Sequence, residues 1–252
     1  MSATTDWGLF GLVAVGTALS VTALARASAT AIRGDGATDV APDTGEPDRE
    51  PPGTEAALTD LTAASVFGNV LFSQGLAAGL LVLATWYADV PRGTLGAGRG
   101  VLTPAAVTLG IALGAALYVA DEALARLADW LGVSYTEALR ELLAPDRPAG
   151  WLIMLVGTLP VVAVSEELLF RAALIGGLAA GFPVPAWALA LASSALFGLA
   201  HGAQGIAGVV VAGLVGLALA VAFLATDSLL VVAVAHYVVD ALEFVVNEGL
   251  DV

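Results

Sequence analysis

The stretch WLIMLVGTLPVVAVSEELLFRAALIGGL, residues 151–178, is an apolar run interrupted by two adjacent acids and an arginine. It is longer than the about 20 helical residues that cross a hydrocarbon core. An ionisable side chain at bilayer depth costs roughly 2.5–3.5 kcal/mol on insertion scales, so Glu166, Glu167 and Arg171 each need a structural partner or a function. We therefore expect a membrane-spanning helix that carries part of a functional site.

The composition of the whole chain agrees with this expectation. The 252 residues are 58% hydrophobic and only 13% charged, and the mean hydropathy is +0.89, which is too apolar for a water-soluble domain of this size. The absence of cysteine excludes a disulfide framework and a thiolate metal site, and nine basic residues are too few for a nucleic-acid-binding face. The sequence predicts an all-α, polytopic transmembrane bundle in a cell membrane, with the lipid bilayer around it and no nucleic-acid partner.

About seven transmembrane spans are predicted from the apolar runs. They cover residues 7–25, 65–88, 104–120, 151–178, 185–200, 206–225 and 229–246. Short connections between the last four spans make them antiparallel neighbours.

Changes in composition divide the first part of the chain into an anchor and a linker. Residues 1–33 form a predicted N-terminal transmembrane anchor, favoured over a cleaved signal peptide because Asp6 lies where a basic segment would be expected. Residues 34–63 contain eight acids against the single Arg49 and almost nothing to bury. An acidic, flexible linker is predicted there.

The rest of the chain divides at the start of the fourth span. Residues 64–148 hold two spans and a segment of mixed character, in which Ser134 and Glu137 form a capping box for an amphipathic helix at the membrane surface. Residues 149–252 hold the other four spans and all the polar motifs, so this segment is the predicted catalytic core.

Charge is unevenly distributed along the chain. All nine basic residues are arginines, and 23 acids give a net charge of −14. Such a surface suits very salty surroundings, where screening tolerates like charges, and a salt-loving host is expected. The positive-inside rule places the N-terminus outside the cell, because the loops after the first and third spans carry more arginines than the loop after the second. The larger set is Arg26, Arg33, Arg49, Arg126, Arg140 and Arg147, and the smaller is Arg92 and Arg99.

Helical periodicity separates the three charges of the fourth span. Glu167 and Arg171 lie four residues apart, about 40° around a helix axis, so they can form an ion pair. Glu166 lies about 100° from Glu167 and about 140° from Arg171, so it points toward a different neighbour. A carboxylate at bilayer depth without its own cation is a candidate general base or acid.

The two histidines of the protein lie in two other apolar runs. Phe197 and His201 in LFGLAHG share one helix face, as do His236 and Asp240 in HYVVDALEF. In this arrangement Asp240 would hold the His236 ring in one tautomer. Together with Glu166, these side chains could surround one polar cavity, activate a water and receive an oxyanion.

Packing roles are the simpler alternative for several residues. Glu167 with Arg171 would then be a structural ion pair, a histidine would be a hydrogen-bonded core residue, and Phe197 would fill the core. Glu243, near the end of its run, would be a water-facing acid. Interhelical hydrogen bonds would account for four further polar side chains, Asn69, Gln74, Ser193 and Ser194. The combination of charges on three helices, while the other spans are almost free of them, favours a functional site.

The motifs resemble those of the CPBP group of intramembrane proteases, which includes the CAAX prenyl endopeptidases and bacterial bacteriocin-immunity and self-processing proteins. The group's pattern is Glu-Glu-x-x-x-Arg, then Phe-x-x-x-His, then His-x-x-x-Asn or Asp, each on a different transmembrane helix. It is matched in order by Glu166-Glu167-Leu168-Leu169-Phe170-Arg171, Phe197-Gly198-Leu199-Ala200-His201 and His236-Tyr237-Val238-Val239-Asp240. The resemblance extends over about residues 151–246, and the first 150 residues match only in being transmembrane.

The resemblance implies an endopeptidase that attacks a peptide bond with water. Glu166 and His201 would activate the water, and His236 with Asp240 would stabilise the tetrahedral oxyanion. Supporting residues would be Glu167, Arg171 and Phe197. The implied substrate is a small peptide, a leader sequence or a membrane protein, and the oligomeric state is left open.

One position departs from the eukaryotic-type prenyl proteases. They have Asn where this chain has Asp240. A neutral amide can donate to an oxyanion, whereas an ionised carboxylate would repel it. Asp240 is therefore either protonated or only orients His236.

Other mechanisms and functions are compatible with the same residues. Glu166, His201 and His236 could form a zinc triad with an open position, although the motifs do not require zinc, and the cofactor is left open. Ser193 or Ser194 would be a nucleophile only if it faced His201, and the spacing makes Ser194 the better candidate. Intramembrane Glu, His and Asp also mark transporters and proton relays, but here the charges crowd into one half of the chain. A non-catalytic immunity or scaffold protein is a further alternative.

Overall fold

The computed structural model describes residues 4–34, 63–98, 102–132, 144–145 and 147–249. Within these ranges the chain is helical and contains no strand. We number its helices α1 (Trp7–Gly34), α2 (Ala63–Tyr87), α3 (Pro104–Trp130), α4 (Pro148–Gly181), α5 (Ala186–Ala200), α6 (Gly205–Thr226) and α7 (Leu229–Gly249). Six of them are long and apolar enough to cross a membrane, whereas α5 has only 15 residues. The prediction of an all-α, multi-pass membrane bundle is confirmed.

Several helix starts follow from local sequence signals. Pro104 occupies the first turn of α3, and the Thr103 side chain before it accepts a hydrogen bond from the Ala106 N–H at 3.1 Å. The Ser228 hydroxyl caps α7 in the same way, accepting from the Val231 N–H at 3.3 Å. Only Asp227 and Ser228 separate α6 from α7, so these two helices run antiparallel.

The third helix is longer than the sequence predicted. It was expected to end at about Ala120, but α3 continues to Trp130. The polar residues that follow the apolar run lie in this helical extension, where the Asn247 amide near the end of α7 donates to Glu122 Oε1 at 3.1 Å. Because the Glu122 carboxylate has a hydrogen-bond partner on α7, its polarity does not require α3 to end before it. Of the acidic linker predicted over residues 34–63, residues 35–62 lie outside the described residues, and so do residues 133–143, where the amphipathic helix was predicted to begin.

Helix α4 contains two segments of wide π-helical turns, Met154–Thr158 and Leu168–Gly177, with the α-helical segment Leu159–Glu167 between them. Eight of the ten residues of the second π segment are buried. A helix that is buried on nearly all sides lies at the centre of its bundle. The acids of α4 therefore lie where an α-helical segment meets the second π segment, and π turns often occur at functional sites.

Small residues allow the neighbouring helices to approach closely. An added Cβ on Gly114 of α3 would be 2.5 Å from the Ala235 carbonyl oxygen of α7, and one on Gly177 of α4 would be 2.3 Å from the Phe10 ring of α1. Close approach through small residues is a general mode of packing in membranes, where helices gain no hydrophobic stabilisation from contact with one another. These contacts fix α4 and α7, the two helices that carry most of the predicted site residues.

The helix ends form two faces of the bundle. At the first face, the Asp6 N–H donates to the Ala88 carbonyl at 2.9 Å, and the Leu229 N–H donates to the Gly96 carbonyl at 2.9 Å. This face therefore contains the start of α1, the α2–α3 connection and the α6–α7 connection. The second face contains the start of α4 and the end of α5.

Candidate active site

The buried ion pair of α4 is the centre of the candidate site. Arg171 Nη1 donates to Glu167 Oε1 at 2.7 Å, as the four-residue spacing predicts. The exposed fractions of the two side chains are 1% and 0%. A pair so fully removed from water is stabilised only if further groups satisfy its remaining hydrogen-bonding capacity.

Arg171 has additional contacts with two other helices. Its Nη2 donates to the Gly216 carbonyl of α6 at 3.0 Å, and its guanidinium carbon lies 4.6 Å from the centroid of the Phe197 ring on α5. A guanidinium over an aromatic face is favourable, especially when desolvated. Arg171 thus links α4 to α5 and α6 while it neutralises Glu167.

Glu167 also accepts a hydrogen bond from the histidine of α7. His236 Nδ1 lies 2.7 Å from Glu167 Oε1, the same oxygen that Arg171 contacts. Because a carboxylate only accepts, Nδ1 carries the proton and Nε2 is the other reactive position of the ring. The sequence assigned the orientation of this ring to Asp240, but the short contact is with Glu167. The four-residue separation of His236 and Asp240 describes contacts within one helix, so it could not indicate a partner on another helix.

Two carboxylates face the Nε2 side of the His236 ring. Glu166 Oε2 lies 3.9 Å from Nε2, and Asp240 Oδ1 lies 3.6 Å from it. Both distances are longer than a direct hydrogen bond and suit groups that act on a shared third molecule. The Glu166 and Asp240 side chains are 14% and 20% exposed, in contrast to 6% for His236. The structure therefore brings three of the four predicted catalytic residues together at one partly accessible position.

The other carboxylate oxygen of Glu166, Oε1, accepts a hydrogen bond from a side chain of α2. Gln74 Nε2 donates to Glu166 Oε1 at 2.8 Å, and the Ser165 hydroxyl donates to Gln74 Oε1 at 2.8 Å. The sequence prediction that Gln74 makes an interhelical hydrogen bond is confirmed. Its acceptor could not be predicted, because only the packing of α2 against α4 determines which side chain Gln74 reaches.

His201 is connected to His236 by the ring of Phe197, which contacts both imidazoles. It follows the last residue of α5, and its Nδ1 lies 2.9 Å from the Phe197 carbonyl oxygen. A carbonyl only accepts, so Nδ1 carries a proton and, in the neutral form of the ring, Nε2 has the lone pair. The Phe197 ring centroid lies 4.6 Å from that of His201 and 5.6 Å from that of His236. The Phe197 ring thus contacts both imidazoles.

Other polar residues singled out in the sequence have packing roles. The Ser193 hydroxyl donates to the Phe170 carbonyl of α4, as predicted for an interhelical hydrogen bond. Ser194 instead donates to the Ala190 carbonyl of its own helix at 2.7 Å, so its hydroxyl is not directed at His201 as a nucleophile would require. Glu243 is half-buried and Asn69 is exposed.

The candidate zinc triad does not fit the arrangement of these side chains. Among the described residues, no three His, Cys, Asp or Glu side chains are placed to hold one metal ion. A structural or catalytic zinc ion needs ligand atoms that converge to about 2.0–2.2 Å from one point.

Comparison with known families agrees with the resemblance seen in the motifs. Residues 148–242 match a family model described as type II CAAX prenyl endopeptidase Rce1-like. The match covers a little over a third of the chain, from the start of α4 into α7, and includes all three motifs. Comparisons with curated proteins and with solved structures find no match.

Proposed function

Because residues 148–242 match the family model of type II CAAX prenyl endopeptidase Rce1-like proteins, we propose that this multi-pass membrane protein is an intramembrane endopeptidase that hydrolyses a peptide bond with an activated water. The observation that carries the proposal is the approach of Glu166 and Asp240 to one nitrogen of His236, at 3.9 and 3.6 Å. Three ionisable side chains from two helices share that position although each is costly in a membrane.

Glu166 is the proposed general base. Its Oε1 is occupied by the Gln74 amide, which leaves Oε2 on the side of His236. Oε2 takes a proton from water as the water oxygen bonds to the carbonyl carbon of the substrate. The proposed partner in water activation is His201, whose Nδ1 donates to the Phe197 carbonyl and whose Nε2, in the neutral ring, is the basic nitrogen.

His236 is the proposed oxyanion stabiliser. When the ring is protonated, Nδ1 donates to Glu167 and Nε2 can donate to the developing oxyanion. Glu167, itself neutralised by Arg171, holds the ring in place. Asp240 then acts through His236, because a carboxylate pointing at the oxyanion would repel it.

The reaction ends with cleavage of the carbon–nitrogen bond. The tetrahedral intermediate collapses, the carbonyl re-forms, and Glu166 returns its proton to the leaving amine nitrogen. This sequence needs neither a covalent acyl-enzyme nor a metal ion. The proposed substrate is a peptide or membrane-protein segment that reaches the site from within or beside the bilayer of the cell membrane.

Replacing Glu166 tests the proposal directly. The protein in lipid nanodiscs would be assayed with a donor–quencher peptide library that includes prenylated CAAX-type peptides. Glu166→Gln preserves the side-chain shape and removes the base, so we expect the rate of cleavage to fall about 10²–10⁴-fold. Asp227→Asn is the matched control, because Asp227 lies at the α6–α7 junction with φ 47°, a conformation that asparagine tolerates.

A cleavage assay after treatment with a zinc chelator distinguishes the metal-free mechanism from the zinc alternative. We expect cleavage to survive exhaustive dialysis against a zinc chelator. A Glu166→Gln protein that remains folded and cleaves as fast as the wild type would overturn the proposed function. Loss of cleavage on chelation, with recovery on zinc addition, would overturn the metal-free mechanism alone.

A further inference from the structure

Gln74 is the only hydrogen-bond partner of Glu166 that the structure gives among its described residues, and it lies outside the segment that matches the family. Its amide spans the interface between α2 and α4, with Nε2 2.8 Å from Glu166 Oε1 and Oε1 2.8 Å from Ser165 Oγ. Ser165 itself is buried, with 2% of its surface exposed. The carboxylate proposed as the base is therefore held by a side chain from a helix that carries none of the three motifs.

The direction of the Gln74 amide follows from its two neighbours. An ionised Glu166 accepts only, so the amide must present its N–H to the carboxylate. Gln74 Oε1 then faces Ser165, whose hydroxyl can donate to it. Ser165 thereby selects the amide orientation that suits an ionised base.

The same three groups can also accommodate Glu166 after it has taken a proton. The proposed proton acceptor is Oε2, so Oε1 remains a hydrogen-bond acceptor after Glu166 has taken a proton. Gln74 Nε2 can therefore donate to Oε1, and Gln74 Oε1 can accept from Ser165, in both protonation states.

We infer that Gln74, with its amide directed by Ser165, is a positioning residue that holds Glu166 in one orientation through both protonation states of the catalytic cycle. This inference rests on the proposed function. Gln74 acts through Glu166 and need not touch the substrate. Its effect is therefore expected on the proton-transfer step rather than on substrate binding.

The test compares kinetic constants of variants with the same peptide substrate that the wild type cleaves. Gln74→Met keeps the length of the side chain without hydrogen bonds, and Gln74→Glu keeps its shape without an N–H donor. For both we expect kcat to fall about 10- to 100-fold, as is typical when the partner that orients a functional group is removed. We expect KM to stay within about twofold, because substrate contacts are unchanged. The solvent deuterium isotope effect on kcat should increase, because proton transfer becomes more strongly rate-limiting.

A double-mutant cycle shows whether Ser165 acts through Gln74. Ser165→Ala alone should lower kcat by up to about 10-fold and should cause no further loss in the Gln74→Met background. Ser73→Ala is the matched control, because the exposed Ser73 on the same helix donates only to the Val70 carbonyl of its own helix in the described structure. Melting temperatures of all variants would show whether they are folded. If Gln74→Met is not folded, Gln74→Glu takes its place in the double-mutant cycle.

The outcomes separate this inference from the proposed function. If Glu166→Gln abolishes cleavage while both Gln74 variants retain wild-type kcat and isotope effect, the positioning role is wrong and the proposed function stands. A rise in KM alone, or independent effects of the Gln74 and Ser165 substitutions on kcat, would also overturn the positioning role. If the wild type cleaves no faster than Glu166→Gln, the proposed function fails and the positioning role with it.

Discussion

Two Glu–Arg pairs with the same four-residue spacing lie in very different surroundings. Glu167 and Arg171 have 0% and 1% of their side chains exposed, whereas Arg126, paired with Glu122 at 3.0 Å, is 78% exposed. Water and salt screen the exposed pair, but nothing except protein surrounds the buried one. The two pairs therefore provide an internal comparison of what burial does to one kind of interaction.

Removing the arginine of each pair should have unequal effects on stability. Arg171→Gln leaves the Glu167 charge uncompensated in the core, so we expect the free energy of unfolding to fall by about 3–5 kcal/mol. Arg126→Gln should change it by about 1 kcal/mol or less. Equilibrium unfolding of the purified protein in mixed micelles, with increasing denaturing detergent, measures both values. Equal losses would show that Arg171 does not stabilise the bundle through Glu167.

At the scale of single residues, spacing predicted contacts within a helix but not between helices. The Glu167–Arg171 pair follows from a four-residue separation, and periodicity also separated Glu166 from them. The contact of Glu167 with His236 joins residues 69 positions apart, and that of Gln74 with Glu166 joins residues 92 apart. Such partners depend on how α2, α4 and α7 pack, which no pattern within one helix determines.

Helix α7 owes its position to the glycines of α3. An added Cβ on Gly114 would be 2.5 Å from the Ala235 carbonyl oxygen and 2.7 Å from Val238 Cβ. Backbone and a β-branched residue cannot give way as a flexible side chain can. Because Ala235 precedes His236, displacement of this segment would move the imidazole away from Glu167.

A methyl group on Gly114 should therefore reduce both stability and activity. We expect Gly114→Ala to lower the free energy of unfolding by about 1–3 kcal/mol, as overpacking does, and to lower kcat. Gly79→Ala on α2 is the matched control, because no atom lies within 4 Å of its added Cβ and alanine favours a helix. The same unfolding and cleavage assays apply. A Gly114→Ala protein as stable and active as Gly79→Ala would show that the α3–α7 approach is not needed.

At the scale of helices, the sequence predicted which segments are helical better than where they end or how they are wound. The seven apolar runs correspond to α1–α7, because long apolar runs have few alternatives in a membrane. The extension of α3 to Trp130 was missed, since its polar residues indicate a helix end unless the neighbouring α7 is known. The π turns of α4 were missed as well, because they depend on packing on nearly all sides of that helix.

The whole molecule has two faces, and arginines distinguish them. The first face has the end of α2 and the start of α3, and in the sequence Arg92 and Arg99 lie between these helices; the other six arginines outside the apolar runs follow the first and third runs, which lead toward the second face. Helices α5 and α6 meet at the second face immediately after His201. The positive-inside rule thus predicts that the second face, which is nearer to His201, lies in the cytoplasm.

Single introduced cysteines test this orientation without background labelling, because the sequence contains no cysteine. Ala97→Cys marks the first face in an exposed position, and Ala144→Cys marks the second face just before α4. We expect a membrane-impermeant maleimide to label Ala97→Cys on intact cells and Ala144→Cys only after permeabilisation. Each variant should retain cleavage activity, which shows that it is inserted as the wild type is.

The reverse labelling pattern would have a specific chemical consequence. It would place the second face outside the cell, so a substrate would approach His201 from the exterior, and cytoplasmic peptides would have to cross the bilayer first. It would also mean that the six-to-two excess of arginines does not set the orientation of this protein.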